Sequence, residues 1–322
     1  MAPEVRLTRG RILRHAPARG AQGLDAALID IAQDLLLRDL HERGVIDAVA
    51  FKGGTALRKL YAGEAGRFST DLDFSVRSVD EERDAVEQRL VDAIAEMRCG
   101  PFRFGIDTRR GKPSITIESN LGETEALTCK LDVTSPPWLP TEERAWVPMP
   151  VHDLYGGSLP QLHVVRLEEN IAEKIARLNR ATPARDAYDL VWIMTNRGRL
   201  GRGLDPNLIR RLAVMKAWVD MNGLGAAKHR WSQGHDPKPF DVPLWLRARS
   251  AKDFDDENIG LLATLPPKLD ELGRALSAEY QFLRELTPDE ETLAACNGGD
   301  RGLLLRMLDE LPQTQLPQGT CW

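Results

Sequence analysis

The chain has 322 residues, and its 43 Lys and Arg against 48 Asp and Glu leave a formal net charge of −5. That mild acidity argues against a histone-like or polybasic-arm protein, and 42% hydrophobic with 28% charged residues is a globular composition, far from disordered, collagenous or coiled-coil chains. Apolar runs are too short to span a bilayer and the basic start has no apolar signal-like stretch, so the expectation is a cytoplasmic protein with no membrane partner.

The length fits one large or two ordinary domains. Leu24, Leu28, Ile31 and Leu35 recur at i, i+4, i+7 and i+11, which predicts an amphipathic helix from Leu24 to Gly44. An apolar run from Val45 to Phe51 breaks at Gly53-Gly54 and resumes as helix formers from Thr55 to Tyr61, a strand, tight turn and helix. Asp71-Leu72-Asp73-Phe74-Ser75-Val76 alternates polar and apolar, as a half-buried strand does. Ser78-Val79-Asp80-Glu81 matches a capping box, followed by the helical stripe Val86, Leu90, Ile94 and Met97. Three more strands are predicted over 102–106, 114–118 and 127–133, close enough in sequence for hairpins.

Pro136, Pro137, Pro140, Pro148 and Pro150 mark an extended linker over 135–159, so a domain boundary is expected there. Beyond a short strand at His163 to Arg166 the pattern turns helical: 167–180, then 184–196 with Thr182-Pro183 as its cap, then Asp205-Pro206 to about Met221. After an irregular stretch, 223–256, helical patterning returns over 267–285, and Thr287-Pro288-Asp289-Glu290 opens another helix. The last ten residues read as a tail. The expected class is α+β: a mixed or antiparallel sheet flanked by helices in a lobe spanning 1–150, and a mostly helical lobe spanning 151–322. Cys99, Cys129, Cys296 and Cys321 are too widely spaced for a zinc site and read as buried thiols.

Asp71 and Asp73, at i and i+2 on a strand, point to one face while Leu72 and Phe74 point to the other. Two carboxylates that close need a cation, and hard oxygen ligands favour Mg²⁺ or Mn²⁺. Gly53-Gly54-Thr55 stands at a strand-to-helix turn, where glycines let backbone amides approach a phosphate. Lys130-Leu131-Asp132-Val133 alternates as well, offering Asp132 as a third carboxylate. Lys174 falls on the apolar stripe Ile171, Ile175 and Leu178, so it must snorkel outward or point into a polar cleft. Asp186 and Asp189 share one face of a helix that is apolar nearly all round, where a helix-dipole role and a functional pairing are both open.

These elements together resemble the DNA polymerase β-like nucleotidyltransferase superfamily, and more closely the AbiEii-type, MenT-like toxins of bacterial toxin–antitoxin systems. The resemblance is carried by FKGGTALRKLY (Phe51 to Tyr61), RFSTDLDFSV (Arg67 to Val76), and ENIAEKIARLNR and ARDAYDL between Glu169 and Leu190. It covers about Leu24 to Asn196, although fifteen residues separate Thr55 from Asp71, more than the superfamily's usual interval. It implies a metal-dependent transfer of a nucleotide from an NTP to an acceptor, which in related toxins is the 3′ end of tRNA. By position it assigns Asp71 and Asp73 to the metal, Lys174 to phosphate contact, and Asp189, with Asp186 as second choice, to the carboxy-side motif contributed by the helical lobe. Gly53, Gly54, Thr55 and Ser69 would border the nucleotide, and Asp132 would support the metal. A cognate antitoxin is also implied, in some systems a kinase, for which Ser69 is the matching acceptor.

Charge bears on the acceptor. Lys174 to Lys216 carries ten basic and three acidic residues, while Ser250 to the end carries six and fourteen. Arg197, Arg199, Arg202, Arg210 and Arg211 in the basic stretch suggest phosphate tracking along RNA. Nucleotide transfer to a protein hydroxyl, and a nucleotide- or RNA-binding module with a degenerate site, remain the alternatives.

Overall fold

A mixed sheet of eight strands, counted among the described residues, underlies the first of two compact units in the computed structural model. The structure describes residues 5–17, 21–109, 111–179, 184–201, 203–223, 242–247, 261–262 and 267–312. The expected Thr182-Pro183 cap, most of the irregular stretch over 223–256 and the ten-residue tail lie outside them. The first unit comprises Met1–Pro137, Thr141–Val165 and Gly260–Thr264. Its elements in chain order are α1 (Arg9–His15), α2 (Ala21–Glu42), β1 (Val49–Lys52), α3 (Gly53–Leu57), β2 (Leu72–Val76), α4 (Arg83–Ile94), β3 (Arg98–Cys99), β4 (Phe102–Asp107), β5 (Ser114–Ser119), β6 (Leu127–Thr134), β7 (Glu142–Arg144) and β8 (Leu162–Val164). Across the sheet the order is β3-β4-β5-β6-β2-β1-β8-β7. β2 runs parallel to β6 and β1 to β8, and the other pairs are antiparallel.

The alternation in the sequence is the alternation of the sheet. Leu127, Cys129, Leu131 and Val133 of β6 are buried, while Thr128 and Lys130 between them are exposed. Leu72 and Phe74 of β2 stand in register with Leu131 and Val133, so two apolar rows meet on one face. Two local expectations need correction. The run Val45 to Phe51 is a strand only from Val49, because Ile46–Ala48 coils into a 3₁₀ turn that carries the chain from α2 onto the sheet. The Ser78 capping box does not form: the Ser78 hydroxyl accepts from the nearer amide of Asp80 at 3.2 Å and makes a turn instead, so α4 starts at Arg83. The proline-rich stretch is also more than a linker. It holds β7 and a 3₁₀ turn at Pro150–Leu154, and with β8 extends the sheet, so the first unit continues to Val165, while Trp138–Pro140 within the same stretch belongs to the second.

The second unit, Trp138–Pro140 with Arg166–Ile259 and Leu265–Trp322, has no strand among its described residues. It contains α5 (Leu167–Leu178), α6 (Ala184–Thr195), α7 (Pro206–Asn222), α8 (Val242–Arg247), α9 (Leu269–Glu279), α10 (Pro288–Ala294) and α11 (Arg301–Asp309). Asp205 caps α7 by accepting from the amides of Asn207 and Leu208. Thr287 and Glu290 form the expected capping box of α10. The acidic end of the chain is the counterweight of the basic stretch: Glu279, Glu290 and Glu310 pair with Arg197, Arg210 and Arg211 at 3.2, 2.9 and 2.6 Å. Arg210 is buried in its pair and serves the packing of α7 against α10, while Arg211 bonds the Met307 carbonyl and Glu310 at the end of α11. No helix among the described residues is long and apolar enough to cross a membrane. Burial pushes the thiols of Cys99, Cys129 and Cys296 up to about 12, which makes them inert packing groups.

A buried ionic network ties the first unit together. Helix α2 is inaccessible almost all round between Ala27 and Leu37, including Asp30, Gln33 and Asp34. After α3 the backbone widens into a π-helical turn, Arg58–Ala62, which delivers two successive cations into that helix. Arg58 donates to both carboxylate oxygens of Asp30 at 3.0 and 2.9 Å, and its third nitrogen reaches the carbonyls of Gly63 and Gly66. Lys59 donates to Asp30 at 2.9 Å and also to Asp34, which accepts from the Tyr155 hydroxyl at 2.6 Å. His15 lies 2.8 Å from Asp30, and the Arg58 guanidinium stacks 3.6 Å from the centre of the Phe68 ring. Burial alone would raise the Asp30 carboxyl, but the Arg58 and Lys59 charges and the His15 and Arg58 hydrogen bonds hold it well below the ordinary value.

Removing one partner of such a pair leaves the others charged and dry, at a cost of about 3–5 kcal/mol. Asp30→Ala is therefore expected to lower stability in urea unfolding by about that amount. Because the folded-state value is depressed, the Asp30 contribution is fully present above pH ~4, the unfolded carboxyl value, and is lost only as pH falls towards the folded one. Asp30→Asn should accordingly flatten the acid limb of stability against pH, and an unchanged limb would contradict this role.

Candidate active site

β1, β2 and β6 bring a row of charge onto one face of the sheet. Lys52 is in register with Asp73 on the antiparallel β1–β2 pair, and Asp73 with Asp132 on the parallel β2–β6 pair. Partners in register share a face, so Lys52, Asp73 and Asp132 stand side by side while the intervening apolar residues are buried. One step further along, Ser75 and Thr134 join hydroxyls at 2.9 Å and fix the register. Asp71 precedes β2 by one residue, and with Asp73 it flanks the fully buried Leu72; both carboxylate residues are half-buried. Asp132 accepts from Lys112 at 2.7 Å, with the lysine side chain 79% exposed. An exposed pair of that kind is worth about 0–1 kcal/mol, so Asp132 exchanges partners readily.

The Gly-Gly turn has a more specific reason than closeness to a phosphate. Gly53 has φ +80°, and a Cβ there would lie 2.2 Å from Asp73 Oδ2. A Cβ on Gly54 would lie 2.2 Å from the terminal nitrogen of Arg67 and 3.3 Å from Ser69 Oγ. Each glycine thus admits one charged side chain against the turn, a carboxylate at Gly53 and a guanidinium at Gly54. Thr55, fully buried, donates its hydroxyl to the carbonyl of Asp71 and pins the segment entering β2. Ser69 is also buried, and Gln33 of α2 donates to its carbonyl at 3.3 Å. The residues between Thr55 and Asp71 that lengthen the interval are those that carry Arg58 and Lys59 into α2.

In the second unit Lys174 of α5 is 1% exposed and neither snorkels nor stands alone. It donates to Asp186 at 2.9 Å and to Asp189 at 2.8 Å, both on α6, and Arg177 adds a bond to Asp186 at 3.0 Å. One ammonium between two carboxylates on one helix face explains why i and i+3 aspartates sit in so apolar a helix. Nearby, Glu169 accepts from the amides of Trp138 and Leu139 and pairs with Lys216, so this residue of the ENIAEK stretch is a packing anchor.

Among the described residues no three His, Cys, Asp or Glu side chains converge tightly enough to hold a metal ion. Asp71 and Asp73 nevertheless fit Mg²⁺, which binds through one or two carboxylates completed by waters and substrate phosphates and needs no all-protein cage. The space that Gly53 keeps open for the Asp73 carboxylate is the local feature that suits such a site. The placements of Lys52 beside Asp73 and of Arg67 against Gly54 carry no sequence signal, since a lysine ending a strand and an arginine in a loop usually face solvent. Gly53→Ala would impose a positive φ on a residue with a Cβ and push Asp73 aside, at a cost of about 1–2 kcal/mol or more. Thermal unfolding checks this, and a stability equal to the wild type would show that the turn relaxes around the methyl group.

A family model described as nucleotidyl transferase AbiEii toxin, type IV TA system, matches residues 34–292, a span that includes the glycine turn, Asp71, Asp73, Asp132, Lys174 and Asp189. Among solved structures the chain is similar to MenT4, a nucleotidyltransferase toxin from Mycobacterium tuberculosis H37Rv, with 36% sequence identity and a TM-score of 0.76. The match covers 95% of this chain and 99% of that one. No relative among curated proteins matches.

Proposed function

The chain belongs to the AbiEii nucleotidyltransferase toxin family of type IV toxin–antitoxin systems, and from that premise we propose that it moves a nucleoside monophosphate from an NTP onto an RNA, the 3′ end of a tRNA, and so blocks translation. The observation that carries this reading is the seating of Asp73 over Gly53, in register with Asp132 and one buried residue from Asp71. An acceptor hydroxyl would attack the α-phosphorus in line. The new bond is O–Pα, the bond broken is Pα–O to the β-phosphate, and pyrophosphate leaves as the hydroxyl proton passes to solvent. Asp71 and Asp73 would hold a divalent cation, Mg²⁺ or Mn²⁺, which when bound supplies Lewis-acid stabilisation of the attacking and leaving oxygens. Asp132, released from Lys112, would be the third carboxylate. The amides of Gly53, Gly54 and Thr55 would border the outer phosphates, with the Thr55 hydroxyl keeping Asp71 in place. Lys174 is the proposed phosphate cation of the second unit, its ammonium aimed by Asp189 and by Asp186.

Asp71→Ala and Lys174→Ala should each lower labelling of RNA from radiolabelled NTPs by at least ~10²-fold, in the range found on removing one transition-state partner. Full labelling by either variant would overturn the assignment. Label released by protease and not by RNase would instead identify a protein hydroxyl as the acceptor.

Acting in the cytoplasm, the toxin requires restraint by its antitoxin, and we propose a kinase that modifies Ser69. A phosphate there adds a charge of about −1.5 to −2 two residues from Asp71 and repels an incoming triphosphate. Ser69 is buried and held through its carbonyl by Gln33, so the segment must open for the kinase; the neighbouring Thr70 is exposed and is the second choice. Ser69→Ala co-expressed with the antitoxin is expected to escape restraint and arrest growth. Normal growth of that strain would remove Ser69 from the scheme.

A further inference from the structure

The exchange of partners at Asp132 sets a lysine free beside the carboxylates, and the register of the sheet fixes where it stands. The buried apolar residues of β4 and β6 lie on the face that meets α4, while the exposure of Arg103, Glu118, Thr128 and Lys130 leaves the other face open. Across β5 and β6, Ser114 is opposite Lys130, and the Leu131 amide donates to the Pro113 carbonyl at 3.2 Å, which carries the register one residue further. Lys112 is thereby set opposite Asp132, to which it donates at 2.7 Å. Lys130 precedes Asp132 by two residues on β6 and so shares its face. Lys112 and Lys130 are diagonal neighbours on the open face, about 7–8 Å apart by strand geometry. Among the described residues no carboxylate pairs with Lys130, so Asp132 is the one acid that both lysines border.

We propose that Lys112 and Lys130 grip the phosphate backbone of the acceptor RNA next to its reacting end, and that Lys112 does so on leaving Asp132. This deepens the nucleotide-transfer reading and rests on its RNA acceptor. With Asp132 turned to the divalent cation, two ammonium groups stand together on one face, a like-charge pair that is unfavourable until an anion arrives. The attacking hydroxyl belongs to the last nucleotide of a polyanion, so the phosphates nearest it must pass beside the carboxylates. The open face admits them there: Ser114, Thr116 and Thr128, which share it with Lys130, are small hydroxyl side chains that offer hydrogen bonds and no apolar bulk. Lysine supplies a point charge on a flexible stem, which suits the positioning of a backbone and reads no base.

Fluorescence anisotropy of a 5′-labelled tRNA with the full chain and Mg²⁺, over KCl from about 50 to 200 mM, tests the contact through its salt dependence. It is applied to Lys112→Ala, Lys130→Ala, their double variant, the two Lys→Arg variants, and Arg89→Ala, which removes an exposed cation from α4 on the covered side of the sheet. Each lysine lost should weaken binding about threefold to tenfold at low salt and flatten the slope of log affinity against log salt by about 0.7–0.9. The KM for RNA should rise with it, while the KM for NTP stays within about twofold, because the lysines touch the acceptor and not the nucleotide. The arginine variants keep the charge and should keep the slope, and Arg89→Ala should match the wild type. Both lysines are exposed, so the variants should unfold within ~2 °C of the wild type and a loss of binding reads the contact and not the fold. Unchanged binding by the double variant, or weaker binding with an unchanged slope, would overturn the proposal; labelling of RNA by the wild-type chain would then leave the transfer reading standing. A wild-type chain that neither binds nor labels RNA would refute the RNA acceptor itself, and this contact with it.

Discussion

Everything distinctive about the first unit depends on one buried encounter, that of Asp30 and Asp34 with Arg58 and Lys59. Four charges inside a protein are stabilising only as a set, because each is dry and each is held by the others. The set fixes α2 against the π-helical turn that follows α3, and α3 begins with the two glycines that receive Asp73 and Arg67. Gln33, one residue before Asp34, reaches the Ser69 carbonyl from the same helix. The network thus sets where the glycine turn and the loop before β2 lie relative to the sheet, and the carboxylates inherit that placement. Phe68 shares it too, lying beneath the Arg58 guanidinium and donating its amide to the carbonyl of Leu261.

The second unit follows the same logic with other residues. Its buried lysine is balanced by two aspartates on a single helix face, and its arginines by an acidic carboxy-terminal portion. The net charge of −5 therefore averages over charges many of which are paired within the chain. Arg197, Arg210 and Arg211, which look like a phosphate track when read in a line, are each turned to a glutamate; Arg199 is exposed, and Arg202 lies outside the described residues.

Strands that alternate cleanly declare themselves: β2, β4, β5 and β6 are legible within a residue or two, and with them the common face of Asp73 and Asp132. Caps with ordinary geometry are legible too, as at Asp205 and Thr287. What stays hidden is any charge whose partner is distant in sequence. Asp30 and Asp34 occupy spacings that a solvent-facing helix side would also show, and Arg58 and Lys59 look like the polar side of the helix they leave. Period alone cannot separate a face turned to water from one turned to buried counter-charges. Lys174 was visible only as an anomaly on an apolar stripe, and its resolution by Asp186 and Asp189 required the fold. The short strands β3 and β7 carry too few residues to set a pattern.

The central claim is that Asp71 and Asp73, at the start of β2, direct nucleotide transfer to an RNA end. Sequencing the 3′ ends of total RNA after incubation with each NTP separately addresses it most directly. The account predicts untemplated nucleotides on the 3′ ends of tRNA with a preferred NTP, absent when Asp71 is replaced. Unmodified RNA ends with every NTP, in a preparation that still arrests growth, would contradict it.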